Sequence, residues 1–175
     1  MSAGELTLTI READLPRHRF ELLHAEHQQR VLRTAYRLLG RLEDAQDASQ
    51  EVFLRLLKHL DGIEGDPQFW LYRVTVNVCN DHYRRKPFLV DAADLQHPDP
   101  APGADHVLEQ DERKRLLMAG IARLPERERE AIVLRDIEGL TTREVAQVLN
   151  VEEVTVRAHI CAARAKLVKY VRSRI

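Results

Sequence analysis

The sequence predicts an all-α protein with two small helical domains. Aromatic residues make up only 5% of the 175 residues, and turn dipeptides are rare. Leu, Ala, Arg and Glu instead dominate long windows in which apolar residues recur with the period of a helix. A chain of this length is one or two domains with modest cores.

The first half of the chain carries three helical patterns in succession. They cover about 17–40, 43–60 and 67–85, and each has one apolar stripe. The pattern then stops at the stretch QHPDPAPGAD, which concentrates Pro, Asp and Gly without an apolar face. We therefore predict a helical domain over 15–86 and an acidic linker over 87–106.

The second half, 107–175, predicts four helices. Two cover about 107–123 and 125–137, the latter with Pro125 in its first turn. Thr141 and Glu144 form a capping-box pattern that opens a short third helix, and Asn150 tolerates the left-handed conformation that ends it. The fourth helix covers about 153–171, so the last pair predicts a helix-turn-helix, although a purely structural helical hairpin has the same pattern.

Charge is segregated along the chain, although the net charge is only -1. Arg84, Arg85 and Lys86 form a basic cluster, the next 26 residues contain only acidic charges, and no acidic residue follows Glu153. Two basic surfaces separated by an acidic connector are typical of a protein that contacts nucleic acid in two places.

The last helix predicts a surface suited to a DNA major groove. Opposite its core stripe lies a small apolar face, flanked by cations that could reach phosphates while the face contacts thymine methyls. The same face could instead pack on a protein helix. The residues of the face and its flanks are Val154, Ala158, Cys161, Ala162 and Ala165 with Arg157, His159, Arg164 and Lys166.

The stretch DPQFWLYRVTVNVCNDHYRRK mixes aromatic, cationic and amide side chains. This mixture is typical of single-stranded DNA binding, because unstacked bases lie on rings while cations neutralise the backbone. Asn77 and Asn80, three residues apart on one helix face, could read the edge of a flipped base. Trp70 could equally be a core residue.

The second predicted helix, EDAQDASQEVFLRLLKHL, brings like charges together on its outer face. Asp47 and Glu51 are four residues apart, a repulsion that costs about 0.2–0.5 kcal/mol and that Arg55 partly relieves. Leu54 lies among these charges. We predict that the face docks on a basic partner helix with Leu54 as an apolar anchor, whereas a merely solvated face would explain the charges but not Leu54.

Enzyme chemistry and membrane insertion are not predicted. No apolar run is long enough to be a signal peptide or to span a membrane, which favours the cytoplasm. Cys79 and Cys161 have no metal-ligand spacing, and each is expected to be a buried structural thiol. His24 and His27 with Glu21 are the best metal candidate, but a lone helical His pair is usually solvated surface, so we expect no metal, cofactor or catalytic residue.

Three stretches in order, EDAQDASQEVFLRLL, WLYRVTVNVCNDHYRRK and LPEREREAIVLRDIEGLTTREVAQVLNVEEVTVRAHICAARAKL, resemble the extracytoplasmic-function (ECF, group IV) sigma factors of bacterial RNA polymerase. The resemblance covers about 20–167. It implies that 15–86 is sigma region 2, which binds core polymerase and the melted minus-ten element. It also implies that 107–175 is sigma region 4, which reads the minus-35 element.

The resemblance assigns three sets of contacts. Core-polymerase contacts would be Asp44, Asp47, Gln50 and Glu51, with Leu54 added from the pattern above. Minus-ten contacts would be Trp70, Arg73, Asn77, Asn80, Tyr83, Arg84 and Arg85. The minus-35 helix would use Thr155, Arg157, Ala158, His159, Ala162, Arg164 and Lys166.

The implied partners are promoter DNA and core RNA polymerase, through the clamp helices of its largest subunit and the flap of the second-largest. Relatives are usually held inactive by an anti-sigma factor, often a membrane-anchored one, and the same kind of partner is expected here. A different class of protein keeps this fold as a sigma mimic that sequesters an anti-sigma factor without binding DNA. Such a mimic would lack basic residues on both DNA surfaces, whereas this chain retains them.

Overall fold

A computed structural model describes residues 15–85 and 108–174, and every regular element in those ranges is helical. The predicted all-α class is confirmed. The predicted linker 87–106 lies outside the described residues. The helices are α1 (Leu15–Leu39), α2 (Leu42–His59), α3 (Pro67–Arg85), α4 (Leu108–Ala122), α5 (Glu126–Ile132), α6 (Thr142–Leu149) and α7 (Glu153–Arg172).

The N-terminal domain consists of α1, α2 and α3 packed around one core. Gly40 has a φ of 76°, a left-handed conformation that ends α1 and turns the chain sharply into α2. The predicted apolar stripe of α2 is confirmed, because all of its members are buried. Those residues are Ala45, Ala48, Val52, Phe53, Leu56 and Leu60.

The start of α3 is fixed by two adjacent residues. The carboxylate of Asp66 accepts a hydrogen bond of 2.8 Å from the backbone N–H of Gln68, and Pro67 is the first helical residue. A capping carboxylate followed by proline satisfies one of the unpaired N–H groups and presets the backbone angle of the first turn.

The C-terminal domain contains α4 to α7. The predicted helix 125–137 is divided: α5 begins after Pro125, and from Val133 to Ile137 the chain forms a π-helical turn. In this π-turn the N–H of Glu138 donates to the carbonyl of Val133 at 2.9 Å, a bond that spans five residues instead of four. The extra residue changes the direction in which Glu138 points relative to α5.

The helix-turn-helix is confirmed in its details. Thr141 and Glu144 form a reciprocal capping box at the start of α6, and Asn150 ends the helix with a φ of 54°. The predicted core stripe of α7 is buried against α5 and α6. Its members are Val156, Ile160, Ala163 and Leu167.

The two domains pack against each other in the described structure. Helix α3 contacts α6, and α1 contacts both α4 and the π-turn. Arg37 of α1 forms an ion pair of 2.6 Å with Glu138, which directly follows the π-turn. The junction is therefore partly polar, as is usual for interfaces between domains of one chain.

Candidate functional site

The outer face of α2 is acidic with an apolar centre. Glu43, Asp47 and Gln50 are exposed, and Leu54 is 58% exposed among them. Leu57, 53% exposed, adds a second leucine one helical turn away that the sequence reading missed. Because residues three apart lie on the same side of a helix, the spacing of Leu57 from Leu54 predicts that both lie on this face. Exposed leucines within a ring of carboxylates are what a docking face for a basic, partly apolar helix requires.

The two remaining acidic residues of α2 are held in ion pairs. Asp44 lies 3.7 Å from Arg41. Glu51 accepts a hydrogen bond of 2.5 Å from Arg55, as predicted, and lies 3.4 Å from His82 of α3. Burial raises the pKa of Glu51, but the bonds from Arg55 and His82 outweigh it, so its net pKa is lowered. Glu51 therefore stays ionised and ties α2 to α3.

The first part of α3 exposes cationic and amide side chains around a half-buried tryptophan. The ring of Trp70 packs partly on the core and lies 6.4 Å from the ring of His59. Arg73 and Asn77 are exposed. A partly open ring beside exposed donors can accept a stacked base without leaving the core.

Asn80 does not share the exposed face of Asn77. It is only 9% exposed, and its side-chain amide donates to the carboxylate of Glu130 in α5 at 2.7 Å. The spacing of the two asparagines predicted one helix face open to a flipped base, and for Asn80 the prediction of an open position is wrong. A partner 50 residues away satisfies its amide, and sequence spacing cannot reveal such a partner.

Other predicted minus-ten residues also contact the C-terminal domain. The guanidinium of Arg129 lies 4.6 Å from the ring centre of Tyr83, and Arg84 lies 3.6 Å from the carboxylate of Glu126. Arg73 donates to the backbone carbonyl of Gln147 at 3.1 Å. In this arrangement Asn80 is buried and Tyr83 half-buried against the C-terminal domain, whereas Arg73, Arg84 and Arg85 stay exposed.

Carboxylates in α5 and directly after the π-turn also lie at the contact between the two domains, and the sequence patterns did not predict them. Glu130 is 1% exposed and also accepts from Arg127 at 3.0 Å. Burial raises its pKa, whereas the bonds from Asn80 and Arg127 lower it, and burial dominates. Glu138 accepts hydrogen bonds from Arg37 at 2.6 Å and from the hydroxyl of Tyr72 at 3.2 Å. Burial, together with the negative charge of Glu138, raises the pKa of Tyr72.

Helix α7 presents the predicted small face to solvent. Val154, Ala158, Cys161 and Ala165 are exposed, whereas Thr155, His159 and Ala162 are half-buried. Three of the predicted cations of α7 have a carboxylate partner in the structure. Arg164 makes bonds of 2.9 and 2.8 Å to Asp136, Lys166 lies 2.6 Å from Glu128, and Arg157 lies 3.3 Å from Glu153 on its own helix.

Comparison with known proteins identifies the family. Residues 23–87 match the model of sigma-70 region 2, and residues 114–167 match the model of sigma-70 region 4. Sigma-H of Pseudomonas aeruginosa is 32% identical over 167 residues, which cover 86% of this chain and 84% of that protein. The ECF sigma-E factor of Escherichia coli is 31% identical, covering 83% of this chain and 82% of that protein.

This chain belongs to the ECF sigma factors of the sigma-70 family.

The family is one of transcription initiation factors rather than enzymes, as the resemblance implied. The ECF sigma factor SigE of Mycolicibacterium smegmatis shares 37% identity over 150 residues, or 83% of this chain. This sigma factor spans only 58% of the length of that relative.

Solved structures agree with the fold. The structure of CnrH in complex with the cytosolic domain of CnrY has a TM-score of 0.67 at 27% identity, covering 90% of each chain. The sigma factor RpoE of Bartonella quintana, solved with the anti-sigma factor NepR, has a TM-score of 0.69. At 17% identity that second likeness concerns the fold alone.

The two candidate histidines of α1, His24 and His27, are packing residues. His24 lies 4.5 Å from the ring of Phe53, and His27 is buried, with its pKa lowered mainly by burial. The expectation of a solvated pair was therefore wrong for His27. In the part of the chain that the structure describes, His, Cys, Asp and Glu side chains form no group of three that could hold a metal ion.

The two cysteines differ sharply in environment. Cys79 is buried in α3, as expected, and burial raises its pKa. Cys161 is exposed on α7, so the expectation of a buried thiol was wrong for that residue.

We predict that iodoacetamide at pH 8 alkylates only Cys161 in the native sigma factor. The thiolate is the reactive form, and burial both disfavours the thiolate of Cys79 and keeps the reagent away from it. Mass spectrometry of tryptic peptides measures this, with protein in guanidinium chloride as the control in which both react. Native modification of Cys79 would contradict its burial.

Across residues 15–85 and 108–174, no helix has the length and apolar composition that crossing a membrane requires.

Proposed function

We propose that this sigma factor binds core RNA polymerase and directs it to specific promoters in the cytoplasm. Region 2 would lie within 15–86 and region 4 within 107–175, joined by the linker 87–106. The observation that supports this function most directly is the pairing of two surfaces on adjacent helices. The exposed acidic and leucine-bearing face of α2 adjoins the aromatic and cationic surface of α3.

The α2 face supplies polymerase docking. Its exposed carboxylates suit a basic helix of the largest-subunit clamp, and Leu54 supplies the apolar centre that a docking site needs. The docking residues are Asp44, Asp47, Gln50, Glu51 and Leu54. Because Glu51 is tied to Arg55 and His82, Asp47 carries more of the attraction to a basic partner than Glu51 does.

Helix α3 binds the melted minus-ten strand. Trp70 and Tyr83 provide rings for unstacked bases, and the cations provide phosphate contacts. The remaining members of this surface are Arg73, Asn77, Arg84 and Arg85, and Asn80 would join them only with its bond to Glu130 broken. Melting is driven by binding the single strand, so the chain needs no catalytic residue or cofactor for it.

Helix α7 reads the minus-35 element in the major groove, and the flap of the second-largest subunit holds region 4 in place. The small face of α7 allows close approach to base edges, while cations at its margins reach phosphates. The residues of this helix are Thr155, Arg157, Ala158, His159, Ala162, Arg164 and Lys166.

An anti-sigma factor regulates this activity. Support comes from CnrH, 27% identical to this chain, which was solved in complex with the cytosolic domain of another protein, CnrY. The surfaces described above are those that such a partner would have to cover to block function.

Run-off transcription with core polymerase on DNA upstream of the chain's own operon tests the function. We expect a discrete transcript that requires the sigma factor, with core polymerase alone and a template lacking the upstream region as controls. Binding to core polymerase without any transcript from a set of genomic promoters would instead favour a sigma mimic that sequesters an anti-sigma factor.

Within α7 we predict unequal roles for two arginines. Arg157→Ala should weaken binding of holoenzyme to a minus-35 promoter about fivefold to tenfold, since it removes a cation whose one partner among the described residues is Glu153 on its own helix. Arg164→Ala should weaken this binding less than Arg157→Ala does, because the two bonds to Asp136 must be broken before the guanidinium of Arg164 reaches a phosphate. Fluorescence anisotropy of labelled duplex measures both, with Arg172→Ala as the control. Equal losses would contradict this ranking.

A further inference from the structure

We propose that two carboxylates of the C-terminal domain, Glu128 and Asp136, compete with DNA phosphates for cations of α7 and so limit the affinity of this domain for DNA. We call them the counter-carboxylates. This inference rests on the proposed function, because it takes α7 as the helix that binds the minus-35 element. It adds two residues outside the helix-turn-helix that set how strongly that helix binds.

The cations of α7 have few partners on their own helix, because no acidic residue follows Glu153 in the chain. Glu153 itself lies 3.3 Å from Arg157, one helical turn later. The partners of Arg164 and Lys166 instead come from segments that are 28 and 38 residues away in the sequence. The fold therefore brings a carboxylate to each of two cations for which the helix has none.

Asp136 lies in the π-turn and binds Arg164 through both of its carboxylate oxygens. They accept hydrogen bonds from Nε and Nη2 of the guanidinium at 2.9 and 2.8 Å. A guanidinium binds phosphate with the same paired geometry, so a phosphate that takes these two donors must displace Asp136. The side chain of Arg164 is 60% exposed. DNA can therefore reach Arg164, and the carboxylate and the phosphate compete for its hydrogen bonds.

Glu128 in α5 holds the second cation, Lys166. One carboxylate oxygen of Glu128 lies 2.6 Å from the ammonium, and the other is buried without a hydrogen-bond partner among the described residues. A carboxylate with so few donors depends on its cation, whereas Lys166 is 52% exposed and within reach of DNA. Residues two positions apart on a helix point about 200° apart, so Arg164 and Lys166 flank the small face of α7 from opposite sides. Both margins of that face thus carry a counter-carboxylate.

The experiment measures binding of the full chain to a labelled pool of short duplexes of random sequence, by fluorescence anisotropy over a series of KCl concentrations. The slope of log K against log salt concentration reports how many phosphates the protein contacts. Asp136→Asn and Glu128→Gln remove the two charges but keep the side-chain shapes, and circular dichroism checks that each variant is folded. Glu152→Gln is the matched control, since it removes the charge of an exposed carboxylate directly before α7.

We expect Asp136→Asn and Glu128→Gln each to bind the pool about threefold to fivefold more tightly at low salt, because each frees one cation for a phosphate. The salt slope of each should become steeper by about one. Glu152→Gln should behave like the parent chain. When Arg164→Ala is added, Asp136→Asn should no longer tighten binding, since the cation that it frees is absent.

Weaker binding by Asp136→Asn would overturn the inference, because it would show that Asp136 positions Arg164 for DNA. Tightening that persists with Arg164→Ala would also overturn it, as a general effect of charge, and a carboxylate whose removal changes nothing would not be a competitor. Each of these results leaves the proposed function intact. If no form of the chain binds duplex DNA even at low salt, the minus-35 assignment itself is wrong and the inference fails with it.

Discussion

Replacing Leu54 with Glu is expected to weaken binding to core RNA polymerase about 30-fold or more while the protein remains folded. The side chain is 58% exposed, so the substitution removes no core packing. In a docked complex, however, it would bury a new charge at the apolar centre of the face, and central anchors of this kind contribute about 2 kcal/mol or more. Surface plasmon resonance with immobilised core polymerase measures the change.

Leu22→Glu is the matched control, since Leu22 is 57% exposed on α1 of the same domain. Asp47→Arg tests the electrostatic part of docking and should lower the association rate most strongly at low salt. Normal binding by Leu54→Glu would remove that residue from the docking face. A loss that equals the loss from Leu22→Glu would point to a general effect of added negative charge.

Reversing the charges of Arg84 and Arg85 together is expected to reduce sigma-dependent transcription about 100-fold or more without loss of polymerase binding. Both side chains are exposed at the end of α3, so folding is preserved. Glutamates placed against phosphates replace attraction by repulsion, which costs several kcal/mol for a close pair. Run-off transcription measures the loss, and gel filtration with core polymerase checks complex formation.

The matched control for this double substitution reverses Arg17 and Arg19, which are exposed on α1. A template with a pre-melted minus-ten region separates two stages of initiation. If Arg84 and Arg85 contact the strand after melting, the defect persists on the pre-melted template. A defect confined to the duplex template would assign these arginines to melting or to duplex capture instead, and unchanged transcription on both templates would remove them from the DNA surface.

Local sequence signals were sufficient to predict every α-helix except the extent of α5, which ends at Ile132 instead of 137. The apolar period located α2 and α7, and the capping box of Thr141 and Glu144 located the start of α6. Asn150 adopts the left-handed conformation predicted for it. These features depend on residues within a few positions of one another, which is the range over which sequence patterns carry physical information.

Contacts between distant segments were not predictable in the same way. Asn80 has a polar side chain in an amphipathic helix, so its pattern favours exposure, and only its partner Glu130 explains its burial. The carboxylates that pair with Arg164 and Lys166 were missed for the same reason, because α5 and the π-turn approach α7 only after folding. The division of the helix 125–137 into α5 and a π-turn has no pattern in the sequence that we can identify.

The π-turn sets the direction in which the residues after it point relative to α5. Removing one residue between 133 and 137 would restore ordinary α-helical bonding and rotate everything beyond it by about 100° relative to α5. Glu130 would keep its place beside Asn80, whereas Glu138 would turn away from Arg37. The single extra residue of the π-turn thus lets Glu138 contact α1 while Glu130, eight positions earlier, contacts α3.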